Sequence, residues 1–381
     1  MRVIKTEKIA IKLWADNIDN ETLRQAKNLA NLPHAFAWIS LMPDAHPGYG
    51  MPIGGVLATQ GTVIPNAVGV DIGCGMIAVK TSCKEINSET LKKILGEIRR
   101  EIPVGFKHHQ KPQDWEGFKL APESKIIQNE LGAAQYQIGT LGGGNHFIEI
   151  LKGSDGFIWL MLHSGSRNFG FRTANYYQQK ALQLSERYSK DLMDKDLAFL
   201  PLDSKWGKEY LKAMNYCLAF AQTNREKMME KVKKIFKHFT NASFFPPINI
   251  HHNYASIEKH FNKEVLVHRK GAVKAEVGQL GIIPGSMGSP SYITEGLGNS
   301  ESFKSASHGA GRKLGRKEAI RTLNLEEEQA KMSGILGAPR TRNELQEAPG
   351  AYKDIDEVMK NQADLVKIKI KLTPLAVVTG N

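Results

Sequence analysis

Apolar and polar positions alternate along the chain in ways that predict both helices and strands. Between Leu91 and Ile98, apolar residues recur three and four positions apart, which is the period of an amphipathic helix. The run FIWLML at 157–162 is apolar throughout, as in a fully buried strand. The stretch MPDAHPGYGMPIGGVLAT at 42–59 is interpreted as a loop that becomes a strand only by Val56. The chain therefore combines helices with buried strands.

The order of these elements favours the α+β class. A mostly helical stretch covers about residues 172–239, and regions of short strands and glycine-rich loops lie on both sides of it. Strands and helices come in mixed order, which argues against a doubly wound sheet built from strand–helix–strand repeats. The chemically suggestive residues run from Asp44 to beyond His308. We therefore expect one catalytic domain over residues 1–381, with 172–239 as a helical insertion.

The stretch VGVDIGCGM at 68–76 places a carboxylate and a thiol three residues apart. Its apolar flanks predict a buried strand that enters a tight loop, and its glycines let Asp71 and Cys74 point the same way. Burying a carboxylate beside a thiolate is costly unless the charge is compensated, and a divalent cation would supply that compensation. The alternative is a glycine-rich turn with an inert buried cysteine.

Four histidines occupy similar positions at predicted strand–loop junctions, namely His146, His163, His252 and His308. A single histidine in such a setting is more often a core residue than a ligand. Together with Asp71 and Cys74, however, they form a donor set that suits a borderline cation such as zinc or manganese. Their spacing lacks the close cysteine pairs of a zinc finger and is instead scattered, as in catalytic metal sites.

Three glycine-rich loops expose backbone N–H groups that can hold phosphate: GGGNH at 142–146, GIIPGSMGSPSY at 281–292 and SHGAGR at 307–312. None is a Walker A or Rossmann fingerprint, and each alone could be a simple turn. Three arginines beside the histidine loops could bind phosphates in bidentate fashion or form surface salt bridges. They are Arg167, Arg312 and Arg316.

The charge and the cysteine content indicate which class of binding partner and which cellular compartment to expect. The chain has 51 Lys and Arg against 39 Asp and Glu, a net charge of +12 that favours a polyanionic partner such as nucleic acid. Basic residues between 225 and 237 form either a solvated helix face or a contact to the RNA backbone. Three cysteines provide no disulfide framework, and no apolar run is long enough to span a bilayer. We expect a cytoplasmic protein that does not act in the membrane.

Eight motifs occur in one order, from about residue 42 to the C-terminus: MPDAHPGYGMPIGG, VGVDIGCGM, LGGGNHFIE, HSGSR, HHNYA, HRKGA, GIIPGSMGS and SHGAGR. Together they resemble the RtcB family of RNA-splicing ligases. The resemblance implies a β-sandwich-centred α+β fold. It also implies an enzyme that uses GTP and Mn²⁺ to join RNA 3′-phosphate or 2′,3′-cyclic phosphate ends to 5′-hydroxyl ends. Such an enzyme would act in tRNA splicing or in the repair of tRNA or rRNA.

The resemblance also implies roles for individual residues. Two manganese ions would be bound by Asp71, Cys74, His146, His163 and His252, with Cys74 bridging them. His252 is chosen over His251 because it precedes Asn253. His308 would attack GTP and carry GMP, which would then pass to the RNA to give an activated RNA-ppG end, and Asp44 would lie near the incoming 5′-hydroxyl.

The remaining implied contacts concern the nucleotide and the RNA. The guanine nucleotide would be bound by Asn145, Phe147, Ile148, Glu149, Asn253, Pro284, Gly285, Ser286, Met287, Ser291, Gly309, Ala310, Gly311 and Tyr352. RNA or nucleotide phosphates would meet Arg167, Arg312 and Arg316.

The chain departs from the family pattern at two positions. Thr379 stands where the family has a lysine that contacts the nucleotide, and Gly315 stands where many members have a serine. Two other functions stay open at this stage. One is a dinuclear metal phosphoesterase that processes RNA ends without joining them, and the other is a non-catalytic RNA-binding protein.

Overall fold

The structure is a computed structural model that describes residues 1–188 and 192–380. Its α-helices are α1 (Asn20–Ala30), α2 (Pro65–Val68), α3 (Ser88–Glu101), α4 (Lys125–Gln137), α5 (Arg167–Tyr188), α6 (Lys205–Thr240), α7 (Arg316–Thr322), α8 (Leu325–Lys331) and α9 (Ile355–Asn361). Its strands are β1 (Arg2–Ile4), β2 (Ala10–Leu13), β3 (Ala35–His46), β4 (Ile53–Thr59), β5 (Thr62–Val63), β6 (Gly75–Lys80), β7 (Phe147–Gly153), β8 (Ile158–Ser164), β9 (Leu200–Pro201), β10 (Ile248–His251), β11 (Asn253–His260), β12 (Lys263–Lys270), β13 (Ala272–Lys274), β14 (Leu280–Ile283), β15 (Ser291–Gly296), β16 (Ser305–Ser307) and β17 (Val366–Thr379).

Two large sheets form the centre of the molecule. The first has the strand order β1-β2-β3-β4-β12-β11, and the second has the order β10-β6-β8-β7-β17-β15-β14. The second sheet is nearly closed, because its two edge strands β10 and β14 also contact each other. Apolar side chains from both sheets meet in one buried cluster, among them Val56 and Val267 from the first and Ile283 and Tyr292 from the second. The predicted α+β class is confirmed.

Helix α6 covers part of the second sheet. Its apolar face packs against residues of β6 and β8, and Met228 and Phe236 share a buried cluster with Ile77 and Leu160. Ser204 caps the helix at its start by accepting from the Gly207 N–H. Helices α5 and α6 correspond to the stretch predicted to be helical over 172–239, although residues 189–191 of that range lie outside the described residues. The assignment of the whole chain to one domain stays a prediction.

The order of strand and loop expected at 68–76 is wrong. The chain first forms the short helix α2, then a loop over residues 69–74, and only then the strand β6. Pro65 starts the helical turn, and Gly69 and Gly73 adopt φ values of 98° and 75°, which glycine reaches without strain. The Cys74 N–H donates to the Asp71 carbonyl at 3.1 Å. Both candidate ligands therefore precede the strand.

The expected loop at the start of 42–59 is also wrong. Strand β3 continues to His46, but its pairing with β4 is interrupted between Leu41 and His46. Such an irregularity lets a strand redirect a side chain. Asp44 lies inside this irregular segment and is fully buried. Within the part of the chain that the structure describes, no helix is long and apolar enough to cross a membrane.

Two polar side chains of α6, Asn224 and Arg225, connect this helix to loops at the end of the second sheet. The Asn224 side-chain oxygen accepts from the Gly139 N–H at 2.7 Å, and its amide group donates to the Gly165 carbonyl at 3.0 Å. Arg225, which is fully buried, donates to the Gly73 carbonyl at 2.8 Å. Because buried polar groups are costly without partners, these bonds fix the positions of the loops.

We predict that Asn224→Leu lowers the free energy of unfolding by about 2–6 kcal/mol. The substitution keeps the side-chain volume but leaves the buried Gly139 N–H and Gly165 carbonyl without this partner, at about 1–3 kcal/mol each. Urea unfolding followed by circular dichroism measures the change. Gln222→Leu is the control, because Gln222 is exposed on the same helix, and exposed substitutions shift stability by about 0.5 kcal/mol or less. Equal stability of the two variants would contradict the proposed role of Asn224 in holding the loops.

Candidate active site

A cleft of about 2490 Å³ gathers most of the side chains that the sequence singles out. Three candidate residues do not line it. Asp44 lies behind His308, Ile148 belongs to the apolar core, and the Ser291 hydroxyl accepts from the Gly285 N–H at 3.1 Å, which supports the loop at 284–287. These three side chains therefore lie behind the wall of the cleft.

Five ligand atoms converge at one end of the cleft. Cys74 Sγ lies 3.4 Å from His146 Nε2 and 3.2 Å from His163 Nε2. His252 Nε2 lies 3.2 Å from His163 Nε2, and Asp71 Oδ2 lies 3.2 Å from His146 Nε2. The atoms form two groups of three, Asp71–Cys74–His146 and Cys74–His163–His252, and in each the atoms lie within 4.8 Å of one another. Cys74 belongs to both groups.

The sheet order explains why these residues meet. Strands β10, β6, β8 and β7 are neighbours, and the ligands lie at the same end of all four. His163 on β8 is directly opposite Met76 on one side and Phe147 on the other, so His146 and the loop before β6 are adjacent to it. His252 follows β10, whose last residue is paired with Gly75. Ligands far apart in sequence are therefore placed side by side.

Backbone carbonyls fix the tautomers of two of the histidines. His146 Nδ1 donates to the Leu141 carbonyl and His163 Nδ1 donates to the Asn145 carbonyl, each at 2.9 Å. Because a carbonyl only accepts, each Nδ1 carries a proton, and each Nε2 faces Cys74. This second hydrogen bond is typical of metal-binding histidines.

Burial governs the ionisation of the cluster. It lowers the pKa of His163 and His252 well below the usual range, so both are neutral near pH 7. Burial, with the nearby Asp71 carboxylate, raises the pKa of the Cys74 thiol well above its ordinary value. Burial also disfavours ionised Asp71, yet hydrogen bonding with His146 lowers its pKa overall. One thiol, one carboxylate and three imidazoles fit a borderline divalent cation, which would turn Cys74 into a thiolate.

The neighbouring His251 has a different environment from His252. Its Nδ1 lies 3.1 Å from both the Gly73 carbonyl oxygen and Arg225 Nη2. Burial, followed by the charge of Arg225, lowers its pKa to about 4. Of the two histidines, His252 lies in the cluster, and His251 is held beneath the loop that carries Asp71 and Cys74.

His308 lies beside the cluster and is oriented by Asp44. Its Nδ1 donates to Asp44 Oδ2 at 2.7 Å, and its backbone N–H donates to the same oxygen at 3.1 Å. The ring centroids of His252 and His308 are 4.7 Å apart. Because Nδ1 carries the bonded proton, Nε2 keeps a lone pair that can act as a nucleophile. A Cβ at Gly311 would lie 2.3 Å from the Asp44 carbonyl oxygen, so this close approach requires glycine.

The three arginines differ in how many of their N–H groups are in use. Arg312 donates to the Leu314 carbonyl, to Glu347 at 3.0 Å, to the Tyr352 hydroxyl and to the Gln346 carbonyl. Arg316 donates to Glu347 at 3.0 Å through Nε, and its side chain is 50% exposed. A guanidinium has five N–H donors, so Arg316 has more of them available to a ligand than Arg312.

Arg167 lies over the glycine loop that precedes His146. It donates to the Thr140 hydroxyl at 3.1 Å and to the Gly105 carbonyl at 3.0 Å. A Cβ at Gly142 would lie 1.9 Å from its Nη1, so glycine is required for this contact.

Several cleft residues were missed by sequence reasoning. Glu347 pairs with two of the arginines, but no motif marked it. His46 Nδ1 donates to the Asp44 carbonyl at 2.9 Å, and the Lys270 amino group donates to the Tyr49 carbonyl at 2.7 Å. Burial lowers the pKa of Lys270 to about 7. His46 and Lys270 lie in the motifs MPDAHPGYG and HRKGA, so their positions in these motifs were the available signal.

Two of the candidate nucleotide-binding residues, Glu149 and Asn253, have different environments. Glu149 is buried at the cleft wall, and burial raises its pKa to about 8. The Asn253 side chain is already engaged, because it donates to the Asp71 carbonyl at 3.1 Å and accepts from the Gly271 N–H at 2.8 Å. Asn253 therefore holds the loop that carries Asp71 in place.

Comparison of the sequence with known proteins shows which family the chain belongs to. The family model described as "tRNA-splicing ligase RtcB" matches residues 25–380. The RNA-splicing ligase RtcB of Escherichia coli K12 is 37% identical, and the alignment covers 99% of each chain. The tRNA-splicing ligase RtcB of Pyrobaculum aerophilum is 33% identical over 98% of this chain and 95% of its own. The chain therefore belongs to the RtcB family of tRNA-splicing ligases.

Proposed function

We propose that this RNA ligase joins RNA 3′-phosphate or 2′,3′-cyclic phosphate ends to 5′-hydroxyl ends, with GTP as the energy source and two Mn²⁺ ions as cofactors. Membership of the RtcB family supports the RNA ligase activity. The observation that carries the finer proposal is the His308–Asp44 pair beside the cluster that shares Cys74. The expected setting is the cytoplasm, and broken tRNA or rRNA would be the substrate.

The metal ions would be held by the two overlapping groups of ligands. Asp71, Cys74 and His146 would bind one, Cys74, His163 and His252 would bind the other, and the Cys74 thiolate would bridge them. Bound there, the ions would withdraw charge from phosphate oxygens. Their placement next to His308 supports phosphoryl-transfer chemistry at that residue.

His308 is the proposed nucleophile. Asp44 holds the proton on Nδ1, so Nε2 attacks the α-phosphorus of GTP, a P–N bond forms and pyrophosphate leaves. The RNA 3′-phosphate then displaces His308 and takes GMP, which gives RNA-ppG. The 5′-hydroxyl of the second RNA attacks the activated end and GMP leaves. A hydrolase that processes RNA ends would need no such oriented histidine, which favours the ligase over a phosphoesterase.

The remaining candidates divide between the nucleotide and the RNA. Glu149 would accept hydrogen bonds from the guanine N–H groups, which would favour its ionised form against the burial that raises its pKa. The loops at 284–287 and 308–311 would meet the phosphates through their remaining N–H groups, because those of Gly285 and His308 already donate to Ser291 and Asp44. Arg316 and Arg167 would meet phosphates through their remaining N–H groups, whereas Arg312 and Asn253 would act as positioning residues.

The first prediction for this activity concerns His308→Ala. The variant should form no protein–GMP adduct and should not seal RNA with GTP, because Nε2 is the atom that accepts GMP. It should still seal a pre-made RNA-ppG end, since that step needs no nucleophilic histidine. Labelled GTP followed by denaturing electrophoresis measures the adduct. His238→Ala, an exposed histidine on α6, is the control. An adduct of undiminished yield in His308→Ala would refute the assignment.

The second prediction concerns Cys74→Ala. Loss of a bridging thiolate should lower bound manganese towards zero, because both groups of ligands contain this sulfur. Elemental analysis after gel filtration measures the metal per chain. Cys83→Ala and Cys217→Ala should leave the metal content unchanged, because neither residue lies in these groups. Two ions per chain retained in Cys74→Ala would show that the sulfur does not bridge.

The third prediction concerns Thr379, which lines the cleft beside the glycine loop, opposite Phe147. A lysine would add a charge-assisted hydrogen bond, worth about 1.5–3 kcal/mol against about 1 for a neutral one. Thr379→Lys should therefore lower the GTP concentration for half-maximal adduct formation roughly tenfold, with ATP run alongside. Thr373→Lys adds the same charge at an exposed position of β17 outside the cleft and should change nothing. No change in Thr379→Lys would mean that the family's lysine contact has been replaced.

A further inference from the structure

One aromatic side chain at the rim of the cleft has no role in the chemistry described above. Phe106 has a relative exposure of 105%, the highest of the exposed large apolar residues in the described chain. It nevertheless lines the same cleft as His146, Arg167 and the glycine loop. A fully exposed phenyl ring gains nothing from the protein's own core. Its position at the mouth of a ligand cleft points to a ligand contact.

The backbone around Phe106 is firmly held. The Leu141 N–H donates to the Pro103 carbonyl and the Gly105 N–H donates to the Gly142 carbonyl, each at 2.9 Å. Arg167 donates to the Gly105 carbonyl at 3.0 Å. Leu141 is also the residue whose carbonyl holds His146. The ring is therefore displayed from a segment bonded directly to the loop that positions a candidate metal ligand.

The surroundings of Phe106 are basic. Residues 102–113 include Lys107 and Lys111 and contain no Asp or Glu. Lys227 of α6 lies beside the same segment, because its Cβ is 3.7 Å from where a Cβ at Gly139 would be. Among the described residues, no ion pair engages these three lysines. An exposed aromatic ring next to a lysine that has no ion pair within the described chain, here Lys107, is the combination that single-stranded nucleic acids bind.

We propose that Phe106 is a stacking platform for an unpaired base of the RNA strand, close to the broken end, while Lys107 and its basic neighbours contact the backbone. The inference rests on the proposed RNA-joining function and adds a subsite to it. Ring–base stacking accepts any base, so this subsite would strengthen binding without selecting a sequence. The net charge of +12 and the neighbouring Lys107 favour a polyanionic occupant over an apolar protein partner.

The test compares Phe106→Leu with Phe106→Trp. Leucine keeps the apolar character but removes the ring, whereas tryptophan keeps a stacking surface. Fluorescence anisotropy with a short labelled single-stranded RNA ending in 3′-phosphate, without GTP, should show roughly tenfold weaker binding for the leucine variant and unchanged or tighter binding for tryptophan. Phe245→Leu, half-exposed outside the cleft, is the matched control and should bind normally.

The salt dependence of RNA affinity and the use of abasic substrates distinguish the contribution of stacking from that of charge. Phe106→Leu should keep the slope of log affinity against log salt, whereas Lys107→Gln should reduce it by about 0.7 for one lost phosphate contact. One abasic nucleotide near the break should weaken wild-type binding and abolish the difference between wild type and Phe106→Leu. Normal binding by Phe106→Leu, or a difference that persists with every abasic substrate, would overturn the proposal.

The adduct assay keeps this inference distinct from the proposed function. Phe106→Leu should form the protein–GMP adduct at the wild-type level, since GTP does not need the RNA subsite. If wild-type protein formed no adduct, the proposed chemistry would fail, and the RNA-binding comparison would still decide the role of Phe106. Loss of the adduct in Phe106→Leu alone would overturn its assignment as an RNA contact.

Discussion

The buried ligand cluster around Cys74 is the constraint on which the rest of the structure depends. A carboxylate, a thiol and three imidazoles lie within a few ångströms of one another, and burial raises the pKa of the thiol while it lowers those of His163 and His252. Without a cation, the arrangement brings several lone pairs together in a region that solvates them poorly. The cluster thus destabilises the folded state, and metal binding would offset this destabilisation. Its maintenance requires a rigid support.

That support comes from the sheet and from helix α6. Four adjacent strands end at the cluster, so their hydrogen-bonded ladders set the spacing of the loops that follow or precede them. Asn224 and Arg225 of α6 then form hydrogen bonds with those loops. Arg225 also holds His251, so that the next residue, His252, lies in the cluster. Helix α6, whose exposed face is basic, therefore also positions these loops through buried polar side chains. The spacing of its apolar residues does not reveal this role.

The sequence predicted which side chains lie together at the site better than it predicted the local geometry that holds them. Residue types and strand–loop junctions were enough to choose His146, His163 and His252 as candidates, and these now lie together. Periodicity could not give the order of helix, loop and strand at 68–76, because Pro65 and two glycines with positive φ decide it. Glu347 and the Asp44–His308 hydrogen bond also escaped prediction. Such contacts join residues as many as 264 positions apart, and only the tertiary fold brings them together.

The size of the cleft and the burial of His308, the proposed nucleophile, meet opposite requirements. Small-molecule sites usually occupy about 300–1000 Å³, so a cleft of about 2490 Å³ has room for a nucleotide together with RNA ends. Such an opening admits water, which could hydrolyse an activated phosphate. The His308 side chain, however, is only 15% exposed, and Asp44 behind it is fully buried. The fold therefore shields most of the His308 side chain from water, and bound RNA would have to close the remainder of the cleft.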